Sequence, residues 1–244
     1  MKKCLGAIRK ASDEFGLIED GDCVAVGVSG GKDSVALLFA LKEYQRYANA
    51  NFSFFGVCVD LGNENFDVSS ITRLCTDHDI DFHVVVTDIA KIVFDVRKEK
   101  SPCSLCAKLR KGALINEAKR LGANKLALGH HRDDLLETFI LCMMYEGRLN
   151  ALAPKTYLDR KDITQIRPMI YLEESHIINF VKKYDLPTCK SFCRVDGDTK
   201  RSEAKEIIAF MKDKNTMVRK IMTTAITKPE NYKLWEKAEK NQPN

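Results

Sequence analysis

A short glycine-containing stretch, Ser29-Gly-Gly-Lys-Asp-Ser34, carries backbone and side-chain groups suited to binding phosphate. Its glycines lack a Cβ, so the backbone can turn tightly and approach a ligand closely. The stretch opens a predicted helix, whose N-terminal amides and dipole favour an anion. Lys32 adds a cation, and the two serines add hydroxyl groups. The pattern predicts a site for a phosphate-rich anion; a turn that serves only packing is the alternative.

A pair of cysteines, Cys103-Ser-Leu-Cys106, forms a second reactive group, in a polar and basic stretch before a predicted helix. Two cysteines at this spacing serve as redox pairs, as half of a zinc site or as part of an iron–sulfur site. A second pair, Cys189 and Cys193, follows much later. We expect these four to have a chemical role; the alternative is that all are small buried side chains. The cysteines expected to pack in the core are Cys4, Cys23, Cys58, Cys75 and Cys142.

Aspartates follow two of the predicted strands, where they can contact a nucleotide or its metal. Gly129-His-His-Arg-Asp-Asp134 opens a helix, and Asp60 ends an apolar run. Mg²⁺ prefers one or two carboxylates together with phosphate oxygens, so Asp133 is a candidate metal contact. A carboxylate at a helix N-terminus also stabilises the helix, which is the alternative role. Asp33 is expected to orient the glycine loop or to approach the metal.

Short apolar runs alternate with predicted helices over residues 21–186. Near-continuous apolar runs are typical of parallel strands buried on both faces. The alternation predicts an α/β fold with a doubly wound, mostly parallel, five-stranded sheet and right-handed crossovers. The expected strands are residues 24–28, 54–60, 82–87, 125–129 and 163–168.

The order of the strands also predicts where the site lies. Ligands of doubly wound sheets bind beyond the carboxyl ends of the strands. The glycine loop, Asp60, Thr87-Asp88 and the Gly129–Asp134 segment all follow such ends, so we expect them to share one pocket. The expected domains are a helical leader (1–20), a nucleotide-binding domain with the CxxC insertion (21–186) and a C-terminal, helical and charged segment (187–244).

The composition is that of an ordinary soluble globular protein: 45% of the 244 residues are hydrophobic, 30% are charged, and the net charge is +5. No apolar run approaches the roughly 20 residues of a membrane span. Nine cysteines without an apparent secretion signal argue against a disulfide framework, so we expect a cytoplasmic protein that does not bind membranes. Residues 91–111 hold seven basic and two acidic residues, which fits a polyanion's phosphates or a solvated helix face.

The glycine stretch differs from the Walker A loop, whose pattern is GxxxxGK[ST]. With Lys32 as the lysine, Val26 stands where that pattern needs its first glycine, and Asp33 where it needs Ser or Thr. The stretch instead resembles the SGGKDS loop of the N-type ATP pyrophosphatases, which cleave ATP between its α- and β-phosphates and transfer AMP. This resemblance implies that the loop binds ATP.

Five motifs together resemble the tRNA 2-thiocytidine synthetase family of PP-loop enzymes, which thiolate a cytidine in the tRNA anticodon loop. The motifs follow the family's order and approximate spacing over about residues 20–205. They are Ser29–Ser34, Cys103–Cys106, Arg110-Lys-Gly-Ala113, Gly129–Asp134 and Ile166-Arg-Pro168. The resemblance implies ATP as a substrate, with Mg²⁺ and a [4Fe–4S] cluster as cofactors.

Three cysteines bind the cluster in that family, and the resemblance assigns two of them to Cys103 and Cys106. The third is the second cysteine of a Pro-Cys-x-x-Cys-Gly segment. This chain departs from that pattern, since its Pro187–Cys193 segment has one extra residue between the cysteines and no glycine after them. The resemblance assigns the third ligand to Cys193, with Cys189 as the alternative. Three ligands would leave one iron open, whereas four cysteines would indicate structural zinc.

The resemblance implies an ATP-dependent tRNA sulfurtransferase. The C2 carbonyl oxygen of a tRNA cytidine would attack the α-phosphate of ATP, pyrophosphate would leave, and sulfur would replace the oxygen as AMP departs. The residues expected to act in catalysis are Lys32, Asp33, Asp133 and Cys193. Those expected to bind ATP and Mg²⁺ are Ser29, Gly30, Gly31, Lys32, Asp33, Ser34, Asp60, Gly129 and Asp133.

The partners that the resemblance implies are tRNA, ATP and a sulfur donor such as a cysteine desulfurase or free sulfide. A homodimer is one option for the assembly. Two other functions remain compatible with the sequence. The same ATP chemistry can serve another tRNA base or a small molecule. A zinc-stabilised, non-catalytic protein that binds a nucleotide or RNA would keep the loop and the cysteines without cleaving ATP.

Overall fold

The structure is a computed structural model that describes residues 1–63, 66–98, 102–189, 200–228 and 230. Its helices are α1 (Lys2–Phe15), α2 (Lys32–Gln45), α3 (Ser69–Asp77), α4 (Ile89–Lys91), α5 (Pro102–Arg120), α6 (Arg132–Tyr145), α7 (Glu174–Lys183), α8 (Lys200–Lys214) and α9 (Val218–Thr227). A π-helical stretch (Ile92–Val96) follows α4, and Asp159–Lys161 form a 3-10 turn. Within the described ranges, no helix is long and apolar enough to cross a membrane.

The strands are β1 (Cys23–Gly27), β2 (Ser53–Asp60), β3 (Phe82–Val86), β4 (Lys125–Ala127), β5 (Lys155–Leu158) and β6 (Ile163–Ile166). They form one sheet in the order β3-β2-β1-β4-β6-β5, and all neighbours are parallel except β5 and β6. The predicted α/β, mostly parallel sheet is confirmed, and the described residues contribute six strands to it rather than the five predicted. The sequence does not reveal β5, because its residues alternate between exposed and half-buried at the sheet edge and form no apolar run.

The centre of the sheet is β1, which pairs with β2 on one side and β4 on the other. Its residues Val24, Ala25 and Val26 are fully buried, as expected for a strand covered on both faces. Helix α2 follows it and buries most of its residues all round, so it is a core helix rather than an amphipathic surface helix. This pairing of a buried strand with a buried helix fixes the position of the loop between them.

The chain divides into two compact units. Unit 1 comprises residues 1–135 and 152–198, and it contains the whole sheet. Unit 2 comprises residues 136–151 and 199–244, and in its described part most of α6 packs with α8 and α9. The buried core of unit 2 consists of Leu136, Ile140, Ala204, Ile208, Val218 and Met222. Each unit therefore has an apolar core of its own.

Four of the five cysteines predicted to lie in the core are buried, namely Cys4, Cys58, Cys75 and Cys142, and Cys23 is half-buried. Burial raises the pKa of the Cys4 thiol to about 12 and that of the Cys75 thiol to about 11. Both thiols are therefore protonated at neutral pH and behave as small apolar side chains.

Candidate active site

The glycine loop joins β1 to α2 at the carboxyl edge of the sheet, and its two serines brace it. The Ser34 hydroxyl accepts a hydrogen bond from the Ser29 amide (3.1 Å) and donates one to the Gly31 carbonyl (2.9 Å). The two serine hydroxyls lie 3.2 Å apart. Because Gly31 is the N-cap of α2, the first amides of that helix are available to an anion at the loop.

Gly30 is where the loop meets the segment that carries Cys189. The Cys189 amide donates a hydrogen bond to the Gly30 carbonyl at 2.9 Å. Gly30 has φ +85°, and a Cβ at this position would lie 3.1 Å from the Cβ of Cys189. The backbone conformation therefore favours glycine, and an added Cβ would also press on Cys189. The contact brings one of the four singled-out cysteines directly against the predicted phosphate loop.

Gly129, at the end of β4, packs against the start of α2. A Cβ on Gly129 would lie 3.0 Å from the carbonyl carbon and oxygen of Asp33 and from the Ser34 amide nitrogen. The absent side chain therefore lets the Gly129–Asp134 segment lie beside the loop. The predicted convergence of these two strand ends is thus observed.

The Lys32 ammonium lies between two carboxylates. Its Nζ is 2.8 Å from Oε1 of Glu174 and 3.1 Å from Oδ2 of Asp33. Burial by itself lowers the pKa of Lys32, but the hydrogen bonds and charges of Glu174 and Asp33 outweigh that effect and raise it. Lys32 is therefore charged at neutral pH and is held beside the loop before any phosphate arrives.

Glu174 is a site residue that the sequence analysis does not identify. It is the first residue of α7, where an acidic residue is ordinary because it complements the helix dipole. The one feature of the sequence that points to Glu174 is its position after the Arg167-Pro168 motif, which follows the end of a strand. That signal does not distinguish a partner of Lys32 from a residue that only stabilises the helix.

His131 is buried among three aspartates. Its Nε2 lies 3.4 Å from Oδ2 of Asp134 and 3.7 Å from Oδ1 of Asp33, and its Nδ1 lies 3.7 Å from Oδ2 of Asp133. Within the described part of the chain, the buried Asp33 Oδ1 has no hydrogen-bond partner. A buried carboxylate oxygen in that state suits a cation, because an unsatisfied buried acceptor is costly.

Asp133 and Asp134 both hold backbone amides. Asp134 Oδ2 accepts a hydrogen bond from the amide of His131 (2.9 Å), a capping-box contact at the start of α6. Asp133 Oδ2 accepts one from the amide of Glu174 (2.8 Å) and so ties the start of α7 to the start of α6. Both aspartates therefore stabilise a helix start, which is the alternative role that the sequence suggested for them. A metal contact of Asp133 would have to coexist with it.

Asp60 lies at the carboxyl end of β2 and shapes a turn. Its Oδ1 accepts a hydrogen bond from the Gly62 amide (2.8 Å), and its carbonyl accepts bonds from the amide and hydroxyl of Thr87. Gly62 has φ +77°, and a Cβ there would lie 2.6 Å from the Thr87 carbonyl oxygen. The ends of β2 and β3 are therefore joined by these contacts, with one oxygen of Asp60 used in the turn.

Arg167 is a buried cation that contacts the Gly129–Asp134 segment. Its Nε donates to Nδ1 of His130 at 3.3 Å, and its guanidinium also donates to the Ala153 carbonyl. Burial lowers the pKa of Arg167, and the Asp134 charge opposes that shift. The motif residue Arg167 thus fixes His130 and the backbone near the pocket.

Of the described cysteines of the two pairs, Cys106 lies beside the end of β2 and Cys189 lies beside the glycine loop. Cys103 is exposed in the first turn of α5, so the helix begins before the CxxC pair rather than after it. Cys106 is half-buried and packs against an apolar cluster at the end of β2. Cys189 is half-buried, with its Sγ 3.9 Å from the Ser70 hydroxyl. Cys193 lies outside the described residues.

Cys58, near the carboxyl end of β2, is a buried thiol. Burial raises the pKa of the Cys58 thiol to about 12, with smaller increases from the charges of Asp60 and Cys189 and a decrease from Arg110. Among the described residues, no three His, Cys, Asp or Glu side chains are grouped closely enough to hold a metal ion.

Known proteins are similar to this chain in fold and in sequence. A family model described as a PP-loop domain matches residues 6–190. A U34-tRNA thiolase, NcsA, from Methanococcus maripaludis, solved with its [4Fe–4S] cluster, is similar with a TM-score of 0.76 and 21% identity, over 97% of this chain and 80% of that one. At that identity the likeness is one of fold.

Sequence relatives are considerably closer. A tRNA-cytidine(32) 2-sulfurtransferase of Geobacter sulfurreducens is 37% identical over 228 residues, which is 92% of this chain and 89% of the relative. The protein of the same name from Geotalea daltonii is 35% identical, over 97% of this chain and 95% of its own length. The chain therefore belongs to the PP-loop family and, within it, to the family of the tRNA-cytidine(32) 2-sulfurtransferases.

Proposed function

We propose that the protein is an ATP-dependent tRNA sulfurtransferase that replaces the C2 oxygen of a tRNA cytidine with sulfur. The observation that carries this proposal is the hydrogen bond between the Cys189 amide and the Gly30 carbonyl, which joins a cysteine segment to the ATP loop. The relatives named tRNA-cytidine(32) 2-sulfurtransferase support the same substrate.

The reaction has two displacements. The C2 carbonyl oxygen attacks the α-phosphate of ATP, the bond to the β-phosphate breaks, and pyrophosphate leaves. A sulfur nucleophile then adds at C2, and the carbon–oxygen bond breaks with AMP as the leaving group. Because AMP is a far better leaving group than oxide, adenylation makes the exchange feasible. Positioning and charge stabilisation supply most of the catalysis, so no strong protein base is required.

The loop provides the phosphate site. The amides at the start of α2 and the glycines at positions 30 and 31 face the phosphates, with Gly129 and Asp60 at the neighbouring strand ends. Lys32 exchanges its contacts with Glu174 and Asp33 for phosphate oxygens, which carry more charge than one carboxylate. The raised pKa of Lys32 supports this role, because the side chain is cationic throughout the physiological range.

Asp33 is the residue best suited to hold Mg²⁺. Its buried Oδ1 has no hydrogen-bond partner within the described residues, and Mg²⁺ commonly takes one or two carboxylates and completes its shell with phosphate oxygens and water. Asp133 is the second candidate contact, although one of its oxygens already accepts the Glu174 amide. Mg²⁺ would neutralise charge on the phosphates as pyrophosphate leaves.

Cys103, Cys106 and Cys193 are the proposed ligands of a [4Fe–4S] cluster, with Cys189 as the alternative third ligand. Thiolates are the ordinary ligands of such clusters, and the exposed Cys103 and half-buried Cys106 fit a site formed near the surface. When bound, a cluster with three protein ligands supplies an open iron that can carry the sulfur to be transferred. Cys103, Cys106 and Cys193 would hold the cluster, and the loop orients ATP beside it.

The remaining partners follow from this chemistry. The sulfur comes from a donor such as a cysteine desulfurase or free sulfide, and the reaction takes place in the cytoplasm on tRNA. A homodimer is one option for the assembly. The acceptor, rather than the ATP step, is what separates this function from thiolation of another base or a small molecule.

The test combines two measurements on protein purified without oxygen. Pyrophosphate release is measured with ATP and unmodified tRNA, and the tRNA nucleosides are then analysed by mass spectrometry. We expect release of pyrophosphate together with new 2-thiocytidine. Release accompanied by a different thiolated product would assign another acceptor.

A metal and acid-labile sulfide analysis decides the cofactor. About four irons and four sulfides per chain, with brown colour, are expected for the cluster. One zinc without sulfide, together with ATP binding and no pyrophosphate release, would indicate the non-catalytic, zinc-stabilised alternative.

A further inference from the structure

Two aromatic side chains of unit 2 are exposed although the unit has an apolar core of its own. Tyr145 is 45% exposed at the end of α6, and Phe210 is 62% exposed on α8. Each has a lysine ammonium near its ring: Lys200 Nζ lies 4.2 Å from the centre of the Tyr145 ring, and Lys214 Nζ lies 5.5 Å from the centre of the Phe210 ring. We call these four residues the aromatic–lysine surface.

Lys200, Phe210 and Lys214 lie along one side of α8, and Tyr145, at the end of α6, contacts the same side. The Tyr145 hydroxyl donates a hydrogen bond to Glu203, which is three residues after Lys200 and therefore on the same helix face. Phe210 lies seven residues after Glu203, or about two turns and 10 Å along the same face. Lys214 follows Phe210 by one turn. The surface thus presents two rings in a row, with an ammonium near each.

The charge around this surface favours a polyanion. Residues 200–228, which contain α8 and α9, carry eight lysines and arginines against three acidic residues. Most of these lysine and arginine side chains are exposed to solvent. A protein partner of ordinary charge would not need such an excess, whereas the phosphates of a nucleic acid would.

Exposed aromatic rings beside cations suit unpaired nucleotides in particular. Bases that are not paired stack on aromatic side chains, and basic groups contact the phosphates between them. A double-helical stem offers its phosphates but not its base faces. The rings of this surface would therefore add nothing to the binding of a stem, and their exposure favours a loop.

We propose that the aromatic–lysine surface binds unpaired nucleotides of the RNA substrate. Two bases stack on the exposed parts of the Tyr145 and Phe210 rings, and Lys200 and Lys214 contact the adjacent phosphates. The identification of that RNA as tRNA rests on the proposed function. The surface deepens that function by assigning the recognition of unpaired bases to unit 2.

The test compares ring-removing and ring-keeping variants. Tyr145→Leu and Phe210→Leu keep an apolar side chain but lose stacking, whereas Tyr145→Phe and Phe210→Trp keep it. Dissociation constants for an unmodified tRNA transcript are measured by fluorescence anisotropy. We expect each leucine variant to weaken binding roughly 5- to 100-fold, and the ring-keeping variants to stay close to the parent protein. Tyr47→Leu, at a 68% exposed tyrosine of unit 1, is the matched control.

Two further readouts separate this proposal from others. Lys214→Ala should lower the slope of log K against log salt by about 0.7, the value for one contact to a single strand. A paired RNA hairpin stem without its loop should bind the parent and leucine variants equally. ATP affinity and the thermal melting curve should not change in the leucine variants.

The outcomes that overturn the proposal are distinct from those that overturn the function. If both leucine variants bind tRNA as tightly as the parent protein, the aromatic–lysine surface does not bind the RNA, and the proposed thiolation is unaffected. Variants that bind tRNA normally but lose binding to a sulfur-donor protein would make it a protein-docking surface instead. If the parent protein itself binds no tRNA while binding ATP, the proposed function fails first.

Discussion

The phosphate side and the thiol side of the candidate site are built in different ways. The phosphate side consists of backbone, serines and glycines that allow close approach, and the two serines brace its loop without a ligand. The thiol side presents an exposed Cys103 and half-buried Cys106 and Cys189, and the described cysteines form no three-ligand group. One side is fixed by the fold, whereas the other depends on what it binds.

This difference is expected from the chemistry of the two ligands. A polyphosphate is bound well by amides that are already aligned, because no ordering remains to be done when it arrives. A metal cluster supplies strong bonds of its own, so its binding energy can organise ligands that are apart beforehand. The proposed function therefore predicts that substitutions on the two sides have separable effects.

The largest effect is expected from Lys32→Ala. Removing the cation that faces the phosphates should lower pyrophosphate release by about 10²- to 10³-fold, as for the loss of one preorganised charge-stabilising group. Iron content and tRNA affinity should stay at the parent level, because the thiol side does not depend on Lys32. Unchanged pyrophosphate release would show that Lys32 does not act on the phosphates of ATP.

Replacing the cysteines one at a time sharpens the other half of the comparison. Cys103→Ser, Cys106→Ser and Cys193→Ser should each lose most of the iron while ATP still binds. Cys189→Ser should keep about four irons. Cys75→Ser, which replaces a buried core thiol, is the control and should also keep them. Iron loss in Cys189→Ser with retention in Cys193→Ser would exchange the roles of these two residues.

Gly30→Ala tests the point where the two sides touch. The left-handed conformation costs a residue with a Cβ about 1–2 kcal/mol, and the new methyl group would also press on Cys189. We expect the melting temperature to fall by about 2–8 °C, measured by circular dichroism. Gly31→Ala is the matched control, because Gly31 has φ −73° and its added Cβ would make only an ordinary contact with Ser29. An equal loss in both variants would mean that the conformation of Gly30 is not the cause.

The smallest effect is expected from Glu174→Gln. Its pair with Lys32 is partly exposed to solvent, so its loss should cost under about 1 kcal/mol of stability. Since Glu174 and Asp33 raise the pKa of Lys32, that contribution is present at neutral pH and disappears as the pH rises through the raised value.

Freed from one competing carboxylate, Lys32 in this variant should bind ATP about two- to five-fold more tightly by calorimetry, as expected for a pair worth under 1 kcal/mol. Glu173→Gln is the control, because Glu173 pairs with Arg132 at 3.1 Å rather than with Lys32. Weaker ATP binding in Glu174→Gln would instead show that Glu174 supports the nucleotide.

The sequence predicts the parallel strands of the sheet well and the antiparallel edge strand β5 poorly. The strands β1, β2 and β3 are buried or near-continuous apolar runs, and a run of that kind has few other uses in a soluble protein. The edge strand β5 has no such run, since only one of its faces is partly covered and its pairing with β6 comes from the backbone. A strand of four residues with little apolar content is too short to be recognised from its pattern.

The candidate site follows the same rule. The loop and the Gly129–Asp134 segment are predictable, because their residue types are required by a close approach and by helix starts. The contact of Lys32 with Glu174 is not, since it joins positions far apart in sequence and a glutamate at a helix start has an ordinary local explanation. Three-dimensional proximity, rather than residue type, is the missing information.

The bond between Gly30 and Cys189 has an evolutionary consequence. It joins two main chains, so it does not depend on which side chain occupies position 189. Substitutions and small insertions beyond that position can accumulate while the register at the loop is preserved. The lengthened spacing between Cys189 and Cys193 in this chain therefore lies beyond a main-chain contact that keeps position 189 in register with the loop.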